Sequence, residues 1–358
     1  MPAIDRATAK PAVSIIVPAR NEEACLSACL QSLLAQHNAS LNNLTLEIIV
    51  VDDQSTDRTR EIADSFASRG VRVIDAGPIP AGWTGKNNAV TAGAQAARAE
   101  WLLFTDADTI HLPGSLARSI AESKRQSAAM LSYSPEQVVK TFSERAVMPV
   151  IFAELAATFR PSQVSDPNSS AAAANGQYIL ITREAYDAVG GHAAVATCLL
   201  EDVALARAVK QSGRKIFFRY GADAVRTRMY RSFTQLREGW TKNLALLFPS
   251  PVRLAVLRGV EFVLILATFS IAIASSMHGR RQFGVIIAFL CAIVYAVFLK
   301  RIRRAHFSWD ANILALFGLP LFSYLLLRST RAHANGNVPW KGRNYSDEKV
   351  CCPVATGH

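Results

Sequence analysis

The sequence predicts an α/β domain on a mostly parallel sheet, followed by a C-terminal helical membrane region. Three observations carry that expectation. From residue 1 to about residue 257, short apolar β-branched runs alternate with helix-length stretches. Acidic residues follow directly on three of these runs. Beyond Glu261, apolar residues crowd into three long segments separated by charge.

Residues 13–17 open the series as a strand, and residues 22–36 have the length and periodicity of a helix. Residues 46–51 and 57–68 repeat the pair, and Val71–Asp75 is a third strand. Residues 86–98 read as a helix and 101–105 as a strand. Short buried strands separated by such helices imply parallel βαβ units with right-handed crossovers. Residues 143–159 predict an amphipathic helix, 161–175 a polar Ala/Ser-rich segment that is either a mobile loop or a plain linker, 176–182 a strand and 199–211 a helix.

The apolar segments fall at about 262–277, 283–299 and 312–327, each ~16–17 residues long and at the short end of the spanning range. Three full spans would place the C-terminal tail opposite the first domain. A tail that works at that domain requires one segment, 312–327 with its Gly318 and Pro320, to be re-entrant or interfacial. The expected division is therefore 1–250, 251–330 for the membrane region, and a polar tail, 331–358.

The net charge of +11 is concentrated between Arg226 and Arg258 and again from Lys300 to Arg304, next to the apolar segments. That placement points to a cytoplasmic membrane surface with anionic head groups and away from nucleic acid. Cys25, Cys29, Cys198, Cys291, Cys351 and Cys352 show no zinc spacing and read as thiols in a reducing compartment. Residues 1–11 are polar and do not resemble a signal peptide.

Open parallel sheets bind ligands at the carboxyl ends of their strands. Here those ends carry Pro18-Ala19-Arg20-Asn21-Glu22, Asp52-Asp53 and Asp106-Ala107-Asp108. One such carboxylate is an ordinary helix cap; three on one edge point to a site. Asp106 and Asp108 suit a hard cation, Mg2+ or Mn2+, that bridges carboxylate to substrate phosphate. Asp52-Asp53 can accept hydrogen bonds from a nucleobase or ribose. Lys86 stands at a helix start, a place for phosphate. Glu201-Asp202 begins a helix, either as charge at its N-terminus or as a base for an acceptor hydroxyl.

Taken in order, Val13-Ser-Ile-Ile-Val-Pro-Ala-Arg-Asn-Glu-Glu23, Val51-Asp-Asp-Gln-Ser-Thr-Asp57, Gly85-Lys86, Thr105-Asp-Ala-Asp108 and Leu200-Glu-Asp202 resemble the motifs of family 2 glycosyltransferases. The resemblance covers residues 11–240. It implies a Rossmann-like GT-A fold, a nucleotide-diphospho-sugar donor of UDP type, a divalent metal and inversion at the sugar. It implies donor contacts from Pro18, Arg20, Glu22, Asp53 (with or without Asp52), Lys86 and Asp106. Metal would fall to Asp106 and Asp108, the base role to Asp202, and acceptor contact to Glu201.

Arg228-Met-Tyr-Arg-Ser-Phe and Glu238-Gly-Trp-Thr-Lys-Asn243 are similar to the membrane lipid-directed branch: carotenoid, hopanoid-associated and ceramide glycosyltransferases, the carotenoid type above all. Many relatives carry Gln-x-x-Arg-Trp here. In this chain Gln235 lies five before Trp240 and Gly239 takes the arginine's place, which speaks against processive synthesis. Trp240 is expected either to stack on the acceptor or to sit at the membrane interface. Pro339-Trp-Lys-Gly-Arg-Asn-Tyr345 resembles a tail that returns to the catalytic domain, with Arg343 on the diphosphate.

The resemblance thus implies non-processive sugar transfer to a hydroxyl or carboxyl of a lipid or isoprenoid-like acceptor, at the inner membrane, with the catalytic domain facing the cytoplasm. The competing readings are a processive polysaccharide synthase and a catalytically silent sugar-nucleotide-binding membrane protein.

Overall fold

The computed structural model describes residues 11–36 and 45–345. Residues 1–10, Cys351 and Cys352 lie outside them. A seven-stranded sheet runs in the order β3-β2-β1-β4-β8-β6-β9. Its strands are β1 (Val13–Ala19), β2 (Leu46–Asp52), β3 (Val71–Asp75), β4 (Trp101–Phe104), β6 (Met130–Ser134), β8 (Ile179–Thr182) and β9 (Ile216–Tyr220). Four of its six pairings are parallel, and the two that β8 makes are antiparallel. A small sheet joins β5 (Thr109–His111), β7 (Glu136–Gln137) and β10 (Val225–Thr227) beside it.

The period-2 pattern of β1 explains the layers. Val13, Ile15 and Val17 face α1 (Leu26–Leu34) through Leu26, Cys29, Leu30 and Leu33. Ile16 faces the other way, with Ile49 and Val51, onto Ala89 and Val90 of α3 (Gly85–Ala96). The α2 helix (Thr59–Asp64) covers β2 and β3. Register then aligns the strand ends: Ala19 sits opposite Asp52, and Asp52 opposite Asp75. The loops that follow β1, β2 and β4 consequently share one edge.

Two local expectations change. The first helix starts at Leu26, because residues 21–25 form a turn in which Asn21 has φ +52° and Glu22 N–H donates to Thr59 Oγ1 at 2.7 Å. Segment 161–175 is not a plain linker: it contains a short helix, α6 (Pro161–Ser165), buries Val164 and Ala172–Ala174, and receives hydrogen bonds from Lys210 Nζ at the carbonyls of Val164 and Ala171. Cys29, Cys198 and Cys291 are buried, whereas Cys25 is half-buried.

The remaining helices are α4 (Ser115–Arg125), α5 (Phe142–Thr158, closed by a Thr141–Glu144 capping box), α7 (Arg183–Ala188), α8 (Glu201–Gln211) and α9 (Phe233–Leu247), then α10 (Pro251–Met277), α11 (Arg281–Ile302) and α12 (Trp309–Ala334). The last three are long and apolar enough to cross a membrane. They are not alike. The most apolar windows of α10 and α11 are 11% buried and pair as a hairpin, whereas that of α12 is 50% buried, against α5 and α9 of the first domain and against α10. At the hairpin's base, Arg258 and Arg301 of the two arms meet Glu154 of α5 and Glu261 at 2.8–3.4 Å.

The expected re-entrant break does not occur. The α12 helix is continuous, with Pro320 inside it. Gly318 serves close packing instead of a turn: a Cβ there would lie 2.0 Å from the carbonyl oxygen of Ala146 on α5. Both ends of α12 are tied to the first domain. Asp310 pairs with Arg145. Ser329 Oγ donates to the Thr241 carbonyl at 2.6 Å, and His333 Nε2 lies 2.9 Å from the Lys242 carbonyl. The chain then forms a hairpin, β11 (Val338–Trp340) and β12 (Arg343–Tyr345). Its two-residue turn has Lys341 at φ +46° and Gly342 at φ +75°, the pair of left-handed residues that a tight hairpin turn requires.

Because the obstacle at Gly318 is backbone, Gly318→Ala is expected to lower stability by about 1–3 kcal/mol, as overpacking does. Denaturant unfolding of the detergent-solubilised protein measures this; an unchanged midpoint would refute the close α5–α12 crossing.

Candidate active site

One cavity of about 980 Å³ lies along the acidic edge of the sheet. It collects Pro18, Arg20, Glu22, Asp53, Lys86, Asp106, Asp108, Glu201, Asp202, Trp240 and Arg343. Of the residues singled out in the sequence, Asp52 alone stays away. Its Oδ1 accepts a hydrogen bond from Ser55 N–H at 3.3 Å, so it shapes the turn, and Asp53 is the carboxylate on the cavity.

The tail reaches this edge. Arg343 forks onto Asp53, with Nη1 donating to Oδ2 at 2.5 Å and Nη2 to Oδ1 at 3.0 Å. Gly85 makes room for the fork, since a Cβ there would lie 2.6 Å from Asp53 Oδ2 and overlap the guanidinium. Arg20 donates to the carbonyls of Asp53 (2.6 Å), Gln54 (3.0 Å) and Lys341 (3.2 Å). Lys341 in turn donates to the Arg20 carbonyl at 3.0 Å and pairs with Glu22.

Lys86 bridges the two halves of the site, 2.9 Å from Asp106 Oδ1 and 2.7 Å from Glu201 Oε1. Burial opposes its charge, but Asp106, Glu201 and Asp202 outweigh burial and hold the ammonium well above its ordinary pKa. Burial likewise opposes the charge on Glu201, yet Lys86 and Lys242 keep that carboxyl below the usual range.

Two carboxylates go the other way. Burial, then the charge of Glu201, push Asp202 up to about 6, although Gly176 N–H (2.9 Å) and Val203 N–H (2.8 Å) both donate to it. Burial, then Asp106 and Glu22, push Asp108 up to about 7. Its Oδ1 is buried without a hydrogen-bond partner. Among the described residues no three His, Cys, Asp or Glu side chains form a self-sufficient metal cage.

Trp240 does not present a free ring. It borders the cavity but is 2% exposed, with Nε1 3.4 Å from the Met148 sulfur and edge contacts to Phe152 and Tyr230. Next to it, Tyr230 fills the space where Gly239 lacks a side chain; a Cβ would stand 2.4 Å from that ring.

Four residues escaped the sequence reading. Lys341 pairs across the whole chain. Lys242 lines the cavity with its ammonium 5.4 Å from the centre of the Trp340 ring. Gly176 supplies a donor to Asp202, and its missing Cβ leaves Lys86 within reach of Glu201. Asn87 is fully buried, and its Nδ2 donates to the carbonyls of Val195 (3.0 Å), Ala196 (2.9 Å) and Cys198 (3.0 Å), which fixes the approach to Glu201-Asp202. The only sequence signal for Asn87 and Gly176 was adjacency to Lys86 and to a strand.

Residues 14–189 match the family model described as Glycosyl transferase family 2. Over 353 residues the chain is 28% identical to a 4,4'-diaponeurosporenoate glycosyltransferase of Staphylococcus aureus, spanning 94% of this chain and 89% of that one. Among solved structures, a mannosyltransferase from Pyrobaculum calidifontis in complex with GDP-Man and Mn2+ aligns over 92% of this chain and 88% of its own, with a TM-score of 0.51 and 16% identity. That likeness shows the GT-A fold.

Asn87→Ala removes the side-chain donor shared by the carbonyls of Val195, Ala196 and Cys198, the first two of which keep backbone donors from Cys198 and Thr84, and is expected to cost about 1–3 kcal/mol. Thermal unfolding checks the loss; an unaltered Tm would mean that the loop before Glu201 is held by other contacts.

Proposed function

We propose that the chain is a family 2 glycosyltransferase that transfers a sugar from a nucleotide-diphospho-sugar of UDP type to a hydroxyl or carboxyl of a membrane lipid, with inversion and without processive extension. The carrying observation is that Asp53, Asp106, Asp108 and Asp202 border one cavity that continues into apolar surface beside the α10–α11 hairpin. The lipid acceptor is favoured further by the diaponeurosporenoate-directed relative.

In this reading Asp53, oriented by Arg343, receives the nucleobase or ribose. Lys86 and Arg343 sit where they can meet the diphosphate. Glu201, anchored by Lys86, orients the acceptor. Asp202 takes the proton of an acceptor hydroxyl; an acceptor carboxyl, already ionised at neutral pH, needs only to be oriented.

A divalent metal fits at Asp106 and Asp108. The chain's own cations reach Asp106 and Glu22 but leave the buried Asp108 oxygen unpartnered. Mg2+ or Mn2+ bound there would stabilise the charge of the departing diphosphate, and the substrate's oxygens would complete its coordination, so no three-residue cage is required.

The membrane arrangement follows from the ties on α12. Its 26 residues extend ~39 Å, enough to cross a hydrocarbon core, yet both ends are bonded to the catalytic domain. We assign the crossing to the hairpin of α10 and α11 alone. The exposed apolar stripe Trp309, Ile313, Phe317 and Tyr324 then lies in the interface. Catalytic domain, Lys300–Arg304 and tail share the cytoplasmic face. Residues 1–250 are the catalytic unit, 251–302 cross the membrane, and 309–345 return to the active site.

For a hydroxyl acceptor, Asp202→Asn is expected to lower transfer by ~10²–10⁴ while UDP binding stays within about threefold. A base with its pKa raised to about 6 is protonated and idle below that pH. The wild-type rate should therefore climb about tenfold per pH unit towards 6 and level off above it. Equal turnover by both proteins would remove Asp202 from the mechanism. In a cysteine-depleted background, Gly279→Cys should react with an impermeant maleimide on intact cells, and Asn335→Cys only after permeabilisation. External labelling at position 335 would rule out the two-crossing arrangement.

A further inference from the structure

The end of the cavity away from Asp53 is apolar in a way that packing alone does not explain. Phe152, Leu155 and Ala156 on α5 and Phe159 at its C-cap follow helical spacing and line the cavity while remaining half-buried, although Ala153 and Glu154 between them are buried. Across the space, Phe218 and Tyr220 alternate along β9, also half-buried and also on the cavity. Six apolar side chains therefore form two walls of the cavity, and none of the described residues fills the gap between them.

The walls have a direction. One end joins the acidic edge through Leu200 and Val203, which flank Glu201 and Asp202 and line the same cavity. The other end reaches the single 3-10 turn Arg303–Ala305, which directly follows the second arm of the membrane hairpin. There Tyr220 stacks on His306 with ring centres 4.3 Å apart and planes at 11°. Glu154, adjacent to Leu155, is the residue that ties both hairpin arms to α5. The apolar gap thus runs from the proposed base to the foot of the membrane-inserted hairpin.

We propose that this gap is the acceptor's chain subsite. An extended hydrocarbon chain, isoprenoid or acyl, lies between the α5 and β9 walls with its terminal hydroxyl or carboxyl at Asp202, and it enters from the bilayer past the Tyr220–His306 pair. The proposal rests on the sugar-transfer reading for the chemistry at Asp202, but the subsite itself is defined by the walls. The face of α5 from Phe152 to Phe159 covers ~10 Å, so the subsite holds the head-proximal part of the chain and leaves the remainder in lipid. Ala156 is the smallest side chain on the α5 wall and sets the width.

The test is photolabelling of the full-length protein in phosphatidylcholine nanodiscs with a diazirine fatty acid and the matching diazirine fatty alcohol, followed by peptide mass spectrometry. Label is expected on 142–160 and 216–220 as well as on the hairpin. Ala156→Trp, which fills the gap, and Phe159→Asp, which makes one wall polar, should each cut wall labelling about tenfold while hairpin labelling and UDP binding stay unchanged. Wild-type label confined to the hairpin, or wall label unaltered in both variants, overturns the subsite. Should either variant lose UDP binding as well, the other variant and the wild-type label map decide. A wild type that labels on the walls but binds no UDP supports the subsite and counts against sugar transfer alone.

Discussion

An excess of carboxylates gathered at one sheet edge has to be neutralised before this domain can close, and part of the neutralising charge comes from the far end of the chain. Asp53 is 4% exposed and Glu22 is largely buried; their cations are Arg343 and Lys341. Asp106 and Glu201 share Lys86. Leaving one such charge without its partner costs about 3–5 kcal/mol, a large part of a domain's net stability. The tail hairpin is therefore a structural component of the site, and its turn at Lys341-Gly342 aims both cations at the edge.

That requirement propagates outward. A tail that must end at Asp53 forces the intervening helices to bring the chain back to the side it left. The α12 helix accomplishes the return by lying along α5 and α9, where Gly318 admits the Ala146 carbonyl and Ser329 and His333 bond to α9 carbonyls. The Arg258–Glu154–Arg301–Glu261 cluster then fixes the foot of the hairpin against α5. Because α5 also lines the cavity, the placement of the hairpin and the position of the cavity are set by the same helix, and in the proposed membrane arrangement that helix fixes the depth of the site at the bilayer. This gives proximity a structural basis: an acceptor confined to the membrane meets the site at its surface.

The parts of this fold legible in the sequence were those written locally. Alternating apolar residues fixed the strands, and an acid directly after a strand marks the edge whatever the rest of the chain does. Asp53, Asp106 and Asp108 were placed on one edge by such signals, whereas Lys86 and Asp202 stand at helix starts and joined the site through the family resemblance. What failed depended on distant partners. Gly318 and Pro320 left the segment open as re-entrant or interfacial, and the helix proves continuous, because a glycine that admits a neighbour's backbone looks the same in sequence as one that turns the chain. Trp240 read as an exposed aromatic because Met148 and Tyr230 were not known to enclose it. Asp52 and Asp53 could not be separated until the Ser55 contact showed which one serves the turn. Lys341 had no local signature, since its partner Glu22 lies 319 residues away.

The deepest division of labour in the site lies between two adjacent residues. Glu201 and Asp202 occupy the same helix start, both out of bulk solvent, yet their acidities move apart. Glu201 touches the Lys86 ammonium and is held ionised as a fixed anchor. Asp202 takes hydrogen bonds from the backbone of Gly176 and Val203 and feels the Lys86 charge without touching it, while burial and then the neighbouring Glu201 charge work against its ionisation. A carboxylate raised to about 6 is still charged at neutral pH but more basic than an ordinary aspartate, the condition under which it can take a proton and release it again. In the proposed mechanism Lys86 selects which of the two takes the proton by contacting Glu201 and not Asp202, and Asn87, the next residue, holds the loop before them.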